Sequence, residues 1–272
     1  MKNVHVPRAG VCKRRPSLIV LASDYVGCKI VEYLISRGES IDFLILDSRD
    51  IGGHNNRIEQ AFRSSSSAGT LATNAALQEE EFLDRLSEAN PRLGILAWWP
   101  RILKGRILTI PSLGWLNFHP SYLPYNRGKH PNFWCLVDQT PCGVSLHYID
   151  EGIDAGEIVA RQSIPVSWED TGETIYRRSR DTIVELFKRH YDDIVADRLP
   201  RLKVAASEGT LHSARDIAEA SRIELDKTYT ARQLLNIIRA RMFPPHPTAF
   251  FHEGDKRFSV EIVIKEVHGA PQ

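Results

Sequence analysis

Two polar side chains interrupt an apolar run at Trp115-Leu-Asn-Phe-His119. Asn117 and His119 stand two residues apart, and in a strand that spacing puts both on one face. An amide beside an imidazole suits acyl transfer. One group holds an oxygen that gains charge while the other moves a proton. A lone histidine is more often structural. Here two polar residues close an apolar strand just before Pro120, which makes the chemical reading as good as the structural one. A second polar cluster is the acidic loop Asp150-Glu-Gly-Ile-Asp-Ala-Gly-Glu157. It lacks the D-x-[DN]-x-[DN]-G series of a calcium loop, and on loop chemistry alone it reads as a solvated turn.

Other chemistries lack their residues. Ala22-Ser-Asp-Tyr-Val-Gly27 follows the first apolar run, with no G-x-G-x-x-G to admit a pyrophosphate. No P-loop and no G-x-S-x-G elbow occurs. Cys12, Cys28, Cys135 and Cys142 form no C-x-x-C pair, so they read as buried or idle thiols in a reducing cytosol. Across 272 residues, 35 Lys+Arg balance 34 Asp+Glu, a net charge of +1 that argues against nucleic acid as a partner. No apolar run approaches the roughly 18 residues of a membrane span. Lys13, Arg14 and Arg15 before Ser17–Ala22 mimic a secretory signal. The run is short and Asp24 follows at once, so it reads as a first core strand of a cytoplasmic protein.

The elements that must position these groups are legible in outline. Leu18–Ala22 and Ile41–Leu46 are apolar on both faces, as buried parallel strands are. Between them Val26, Ile30 and Leu34 mark a helix closing at Gly38. Gly52-Gly53-His54 opens a loop region that includes the serine tract Ser64–Ser67. A helix over Glu79–Asn90 and strands at Leu93–Trp98 and Trp115–Phe118 follow. This alternation predicts an open, mostly parallel, Rossmann-like α/β sheet. Val144–Tyr148 and Glu157–Pro165 read as strands joined by the acidic loop. Asp170 with Glu173 suggests a capping box for a helix carrying Ile183, Phe187, Tyr191 and Ile194, ended by Leu199-Pro200. Lys203–Lys227 is polar and loop-like, with one short helix. Thr230–Met242 predicts a helix with Leu235, Ile238 and Met242 on one face. Phe250–Phe251 and Phe258–Val267 flank a hairpin turn at Glu253-Gly-Asp255. The reading divides the chain into a basic leader 1–16, a core 17–203 and a small C-terminal α+β appendage 204–272.

Together the motifs resemble the folate-dependent formyltransferase family. The resemblance rests on Asn117-x-His119-Pro-Ser, Leu123-Pro-x-x-Arg-Gly128, Gly143-Val-Ser-Leu-His147 and Asp150-x-x-Ile-Asp154-x-Gly-Glu157. It covers about residues 93–195, with a weaker echo at 17–50. It implies transfer of a formyl group from N10-formyltetrahydrofolate to an amine, without a metal. Asn117, His119 and Asp154 become the catalytic trio. Asp154 would raise the His119 pKa and keep the imidazole protonated, and either His119 or Asp154 could take the amine's proton. By the same resemblance, Trp99, Arg101 and Leu103 form one wall of the pterin pocket, and Asp150 and Ile153 form the other.

Three family branches differ in acceptor: methionyl-tRNA, glycinamide ribonucleotide and nucleotide-linked amino sugars. Tyr122-Leu-Pro-Tyr-Asn-Arg-Gly-Lys-His-Pro-Asn-Phe-Trp134, Trp168–Thr174 and Ile238–Pro245 resemble the amino-sugar branch. That branch implies a dTDP- or GDP-linked amino-dideoxy sugar used in surface polysaccharide such as O-antigen or lipopolysaccharide. Tyr122, Asn126, Arg127 and Lys129 would contact it. A catalytically inactive folate- or nucleotide-binding module is the non-enzyme alternative. Phe258–Val267 would serve a homodimer edge or pack on its own domain.

Overall fold

A computed structural model describes residues 16–50, 52–65, 68–205 and 207–267. Residues 1–15, which hold Cys12 and all but the last residue of the basic leader, lie outside the described residues, as do Ser66 and Ser67 of the serine tract. Every side chain of β1 (Leu18–Ala22) is buried, because the strand is central and covered on both faces. Around it β2 (Ile41–Leu46), β3 (Thr70–Thr73), β4 (Leu93–Ala97), β5 (Trp115–His119), β7 (Gly143–Tyr148) and β8 (Ile158–Ser163) form one sheet. Its order is β3-β2-β1-β4-β5-β7-β8. The first five strands are parallel, and β7 and β8 run antiparallel to their neighbours. The mostly parallel α/β fold expected from the sequence is the one observed.

One face of the sheet packs against α1 (Asp24–Ser36) and α5 (Gly172–Val195). The apolar rows Val26, Ile30, Leu34 and Ile183, Phe187, Tyr191 meet there in one core. The other face takes α3 (Glu80–Glu88) through Phe82, Leu83 and Leu86. Gly38 closes α1 at φ 68°, and its N–H donates to the Ile35 carbonyl.

Several local expectations change. The loop expected after Gly52 contains α2 (Asn55–Ser64), which buries only Ile58 and Phe62. The edge strand β3 has no buried residue, so it shows no apolar pattern. The cap of α5 is Thr171 with Thr174, bonded reciprocally, rather than Asp170 with Glu173. The Asp170 carboxylate instead accepts from Ser167 N at 2.7 Å and Thr174 Oγ1 at 2.9 Å. The last helical residue is Val195, ahead of Leu199-Pro200. Cys28 is a buried free thiol, whereas Cys135 and Cys142 form a disulfide, against the reading of idle thiols. The bond joins α4 (Pro131–Val137), a helix not foreseen, to the residue before β7.

The C-terminal part contains a parallel pair of β6 (Arg127–Gly128) with β9 (Leu211–His212), then α6 (Asp216–Ala220) and α7 (Ala231–Arg241). A hairpin of β10 (Ala249–Glu253) and β11 (Lys256–Val260) follows. The second hairpin strand stops at Val260, short of the expected Val267. Helix α7 buries Asn236, Ile238, Arg239 and Ala240; of the expected row only Ile238 is buried, while Leu235 and Met242 are partly covered. The cause is Arg239. Its guanidinium turns inward and donates to the carbonyls of Ser167 at 2.6 Å, Trp168 at 3.2 Å and Asp170 at 3.3 Å. This buried fork ties the appendage to the start of α5.

Candidate active site

The antiparallel pairing of β5 with β7 builds the site. In register, Asn117 lies opposite His147 and His119 opposite Ser145. Facing residues of a strand pair share a face, so a second imidazole arrives beside Asn117. The loop between β7 and β8 then turns back and brings Asp154, held at φ 47°, to the same point. Asn117, His119 and Asp154, 37 residues apart at their ends, thus converge as expected. His147 joins them. It belongs to the Gly143–His147 motif, and the sequence gives it no site role, because it lies within a strand buried along its whole length, where it reads as core.

Distances define what each atom does. Asp154 Oδ2 accepts from Gly128 N at 2.9 Å and lies 3.5 Å from His119 Nδ1. Asp154 Oδ1 lies 3.6 Å from His147 Nε2 and accepts from Asn117 Nδ2 at 3.4 Å. His147 Nδ1 is 2.9 Å from the Tyr148 carbonyl, which can only accept, so Nδ1 carries a hydrogen. In the neutral ring Nε2 is then an acceptor, and Asn117 Nδ2 donates to it at 3.1 Å. The same logic fixes His119. Its Nε2 faces the carbonyl of Asn126 at 3.2 Å, so Nε2 carries a hydrogen and the neutral ring presents Nδ1 as a base.

Burial and charge oppose each other here. Burial pulls the His119 pKa down, Asp154 pushes it up, and His147 pushes it down again; the net value lies below that of an ordinary histidine. This corrects the expectation that Asp154 keeps the ring protonated. With only 6% of the side chain exposed, desolvation outweighs one carboxylate. Burial also pushes Asp154 up, but His119, His147 and the Gly128 N–H outweigh it and hold the carboxyl well below the usual range. The Asp154 carboxylate thus faces the buried His119 ring at 3.5 Å.

The sequence matches known proteins at this point. The model of the formyl transferase family matches residues 29–190, more than half the chain. A second model, the N-formyltransferase dimerization C-terminal domain, matches residues 216–266. The chain belongs to the formyl transferase family. It is 32% identical to the methionyl-tRNA formyltransferase of Thermus thermophilus over 72% of this chain and 63% of that protein. It is 33% identical to the dTDP-4-amino-4,6-dideoxyglucose formyltransferase of Mycobacterium bovis over 55% of this chain and 64% of that one. The matches therefore span under two thirds of these relatives' own lengths. Among solved structures, a 4-N formyltransferase from Francisella tularensis superposes with TM-score 0.73 at 21% identity, covering 93% of this chain and 99% of that one. An N-formyltransferase from Helicobacter canadensis, solved with folinic acid and dTDP-3-aminofucose, superposes with TM-score 0.68 at 19% identity, covering 87% and 84%.

Within this family member, the other expected site residues divide. Trp98 turns the chain out of β4 at φ 61°, and Trp99 is buried in the core against the sheet. Arg101 is exposed but held, donating to Asp47 at 2.6 and 3.2 Å. Leu103 is half-buried, Ile102 is 75% exposed, and across the site Ile153 is 55% exposed beside the exposed Asp150. Lys129 is exposed and Tyr122 is half-buried under Arg161, whose guanidinium sits 4.5 Å from the ring centre. Arg127 is buried and lines a small cavity with Leu123, Pro124 and Asp154. Asn126 departs from its expected role. Its side chain is fully buried and bonded to Thr140 and Thr210, so the loop holds it away from solvent, and its carbonyl serves His119 instead.

Proposed function

We propose that this protein transfers a formyl group from N10-formyltetrahydrofolate to the primary amine of a nucleotide-linked amino-dideoxy sugar. One observation carries the reading. At the end of β5 the Asp154 carboxylate stands between the Asn117 amide at 3.4 Å and the buried His119 imidazole at 3.5 Å. The donor fits the walls described. Between β4 and the next turn of helix, the backbone groups of 99–103 bond to no other backbone group among the described residues. They are free to meet the donor and acceptor edge of a pterin. Exposed Ile102 and Ile153 offer apolar cover from the two walls.

The donor supplies a formyl carbon that a neutral amine attacks, which loads charge on oxygen and leaves an extra proton on nitrogen. Asn117 supplies N–H groups where that negative charge grows. His119 Nδ1 takes the proton, and Asp154 at 3.5 Å stabilises the resulting imidazolium, which returns the proton to N10 as the oxygen's negative charge collapses, the bond from the formyl carbon to N10 breaks and tetrahydrofolate leaves. Asp154 itself acts as an ionised carboxylate, held by the Gly128 N–H at 2.9 Å and the Asn117 amide at 3.4 Å. His147 fixes the direction of the Asn117 amide. No metal takes part in this scheme.

The amino-sugar acceptor is supported by the relative from Mycobacterium bovis, by the structure from Helicobacter canadensis and by the matched C-terminal domain. That domain also supports a homodimer, with 17–203 as the catalytic unit and 204–272 as the second part. Surface polysaccharide assembly in the cytoplasm is the setting this reading implies; among the described residues no helix is long and apolar enough to cross a membrane. The match to a methionyl-tRNA formyltransferase favours tRNA as a second reading. Its weakness is the net charge of +1, which provides little for a tRNA backbone. A single assay separates the two. N10-formyltetrahydrofolate is offered with a panel of amino-sugar nucleotides and, separately, with methionyl-tRNA. Turnover of an amino-sugar nucleotide supports the proposal. Efficient formylation of the tRNA alone would move the chain to the other branch, and folate binding without any turnover would make it a binding module.

A further inference from the structure

Residues 207–213, part of the segment 203–227 that reads as polar and loop-like, lie against the catalytic loop. Thr210 Oγ1 accepts from Asn126 N at 2.8 Å and donates to Asn126 Oδ1 at 3.0 Å. The Thr210 carbonyl accepts from Arg127 N at 3.0 Å, and the His212 carbonyl accepts from Lys129 N at 3.0 Å. These bonds make the short parallel pair β6–β9. Two glycines permit the close approach. A Cβ on Gly209, at φ 80°, would meet the Pro124 carbonyl at 2.2 Å, and one on Gly128, at φ 88°, would meet the His212 carbonyl at 2.2 Å. Beyond, the His212 ring stacks on Trp134 at 3.7 Å and bonds Asp138 at 2.8 Å.

This strap grips the residue that orients the base. Asn126 stands at φ 56°, a left-handed conformation that asparagine tolerates but that must be held. Thr210 holds it from one side, and Thr140 Oγ1 accepts from Asn126 Nδ2 at 2.8 Å on the other. The Asn126 carbonyl in turn accepts from His119 Nε2 and thereby leaves Nδ1 as the free base. We infer that Thr210 is a positioning residue for catalysis, acting through Asn126 to fix the tautomer and aim of His119. A segment outside the sheet thus becomes part of the machinery for proton transfer. The inference rests on the reading of His119 as the base. Its physical content, control of the His119 tautomer, is measurable without turnover.

The test pairs two variants in the full-length protein. Thr210→Val keeps the shape and removes both hydroxyl bonds; Thr210→Ser keeps the hydroxyl. Nitrogen-15 chemical shifts of His119 report which ring nitrogen carries the proton. The expected result is a dominant Nε2–H tautomer in the parent and in Thr210→Ser, and a mixed population in Thr210→Val. The kcat of Thr210→Val should fall by roughly 10- to 100-fold, as small misplacements of catalytic groups do, with KM nearly unchanged. Thr210→Ser should recover most of it. A folded Thr210→Val with the parent tautomer and parent kcat would overturn the inference. Should valine prevent folding, Thr210→Ala carries the same test. Full activity of His119→Asn would instead overturn the proposed function, and the tautomer measurement would still judge the role of Thr210.

Discussion

Asp47 and Asp154 are both held well below the ordinary carboxyl range, and they differ in what holds them. Asp47, just past β2, is fully buried and clasped by Arg49 at 3.0 Å and Arg101 at 2.6 Å. Burial pushes its pKa up, and the two guanidiniums more than reverse that. Asp154 is held by His119, His147 and a backbone N–H. Arginine stays charged at every working pH, so Asp47 sits in a permanent clasp. Histidine gains and loses its proton near neutrality, so Asp154 sits in a clasp that can change charge during a reaction. On the proposed mechanism the difference separates a structural ion pair from a catalytic one within a single sheet.

The comparison can be broken most forcefully at Asp154. Asp154→Asn should lower kcat by about 10²- to 10⁴-fold, the usual worth of support for a positioned proton-transfer group. It should also shift the acid limb of the rate profile to lower pH. The carboxylate raises the His119 pKa, so its loss lets burial pull that pKa down further. A limb moving upward would contradict the assignment. Asn117→Ala should cost roughly 10²- to 10³-fold in kcat, the range of an oxyanion donor, with its acid limb unmoved. The double variant of His119 and Asp154 should lose much less than the product of the two single losses, because the pair acts as a unit.

His147→Asn provides the opposite sign. His147 lowers the His119 pKa, so its removal should move the acid limb to higher pH, with a loss of roughly tenfold from the misdirected Asn117 amide. Asp47→Asn should act on stability. Both arginines are partly exposed, so the loss is about 1–2 kcal/mol, visible as a drop of a few degrees in Tm. The Asp47 pKa is depressed on folding, so its contribution is present above the ordinary carboxyl value of about 3.9 and fades as pH falls below it. The Tm gap between parent and Asp47→Asn should therefore be flat from pH 5 to 8 and close below about pH 4. Because Asp47 holds Arg101, the donor KM should rise more than kcat falls.

What was legible in the sequence follows the same physical division. β1, β2, β4 and the β7–β8 pair announce themselves by apolar runs, and α5 by its repeat of Ile183, Phe187 and Tyr191. The edge elements do not. β3 buries nothing and α2 buries two residues, so neither leaves a periodic trace. Helix α4 is only seven residues long, and Pro131 at its start, a fair helix-start signal, was read only as a motif. Asn117 and His119 were legible because polar residues at a strand end stand out, whereas Asp154, in a loop that reads as a solvated turn, was legible only through the family resemblance. His147 was not, since it lies inside a strand whose neighbours are all core; the strand register, once Asn117 was placed, was the signal that could have found it. The depressed pKa of His119 was also hidden. The sequence shows the neighbouring charge but not the depth of burial that defeats it.

The pH dependence of kcat/KM for the parent protein and for His119→Asn tests the central claim most directly. The account predicts that the parent rate climbs with pH along one acid limb, centred below the ordinary histidine value of about 6.5, and then levels off. It predicts that His119→Asn remains folded, loses the limb and is slower by about 10²- to 10⁴-fold. A parent rate that falls as pH rises through this range, or a His119→Asn variant with near-normal kcat/KM, would contradict it.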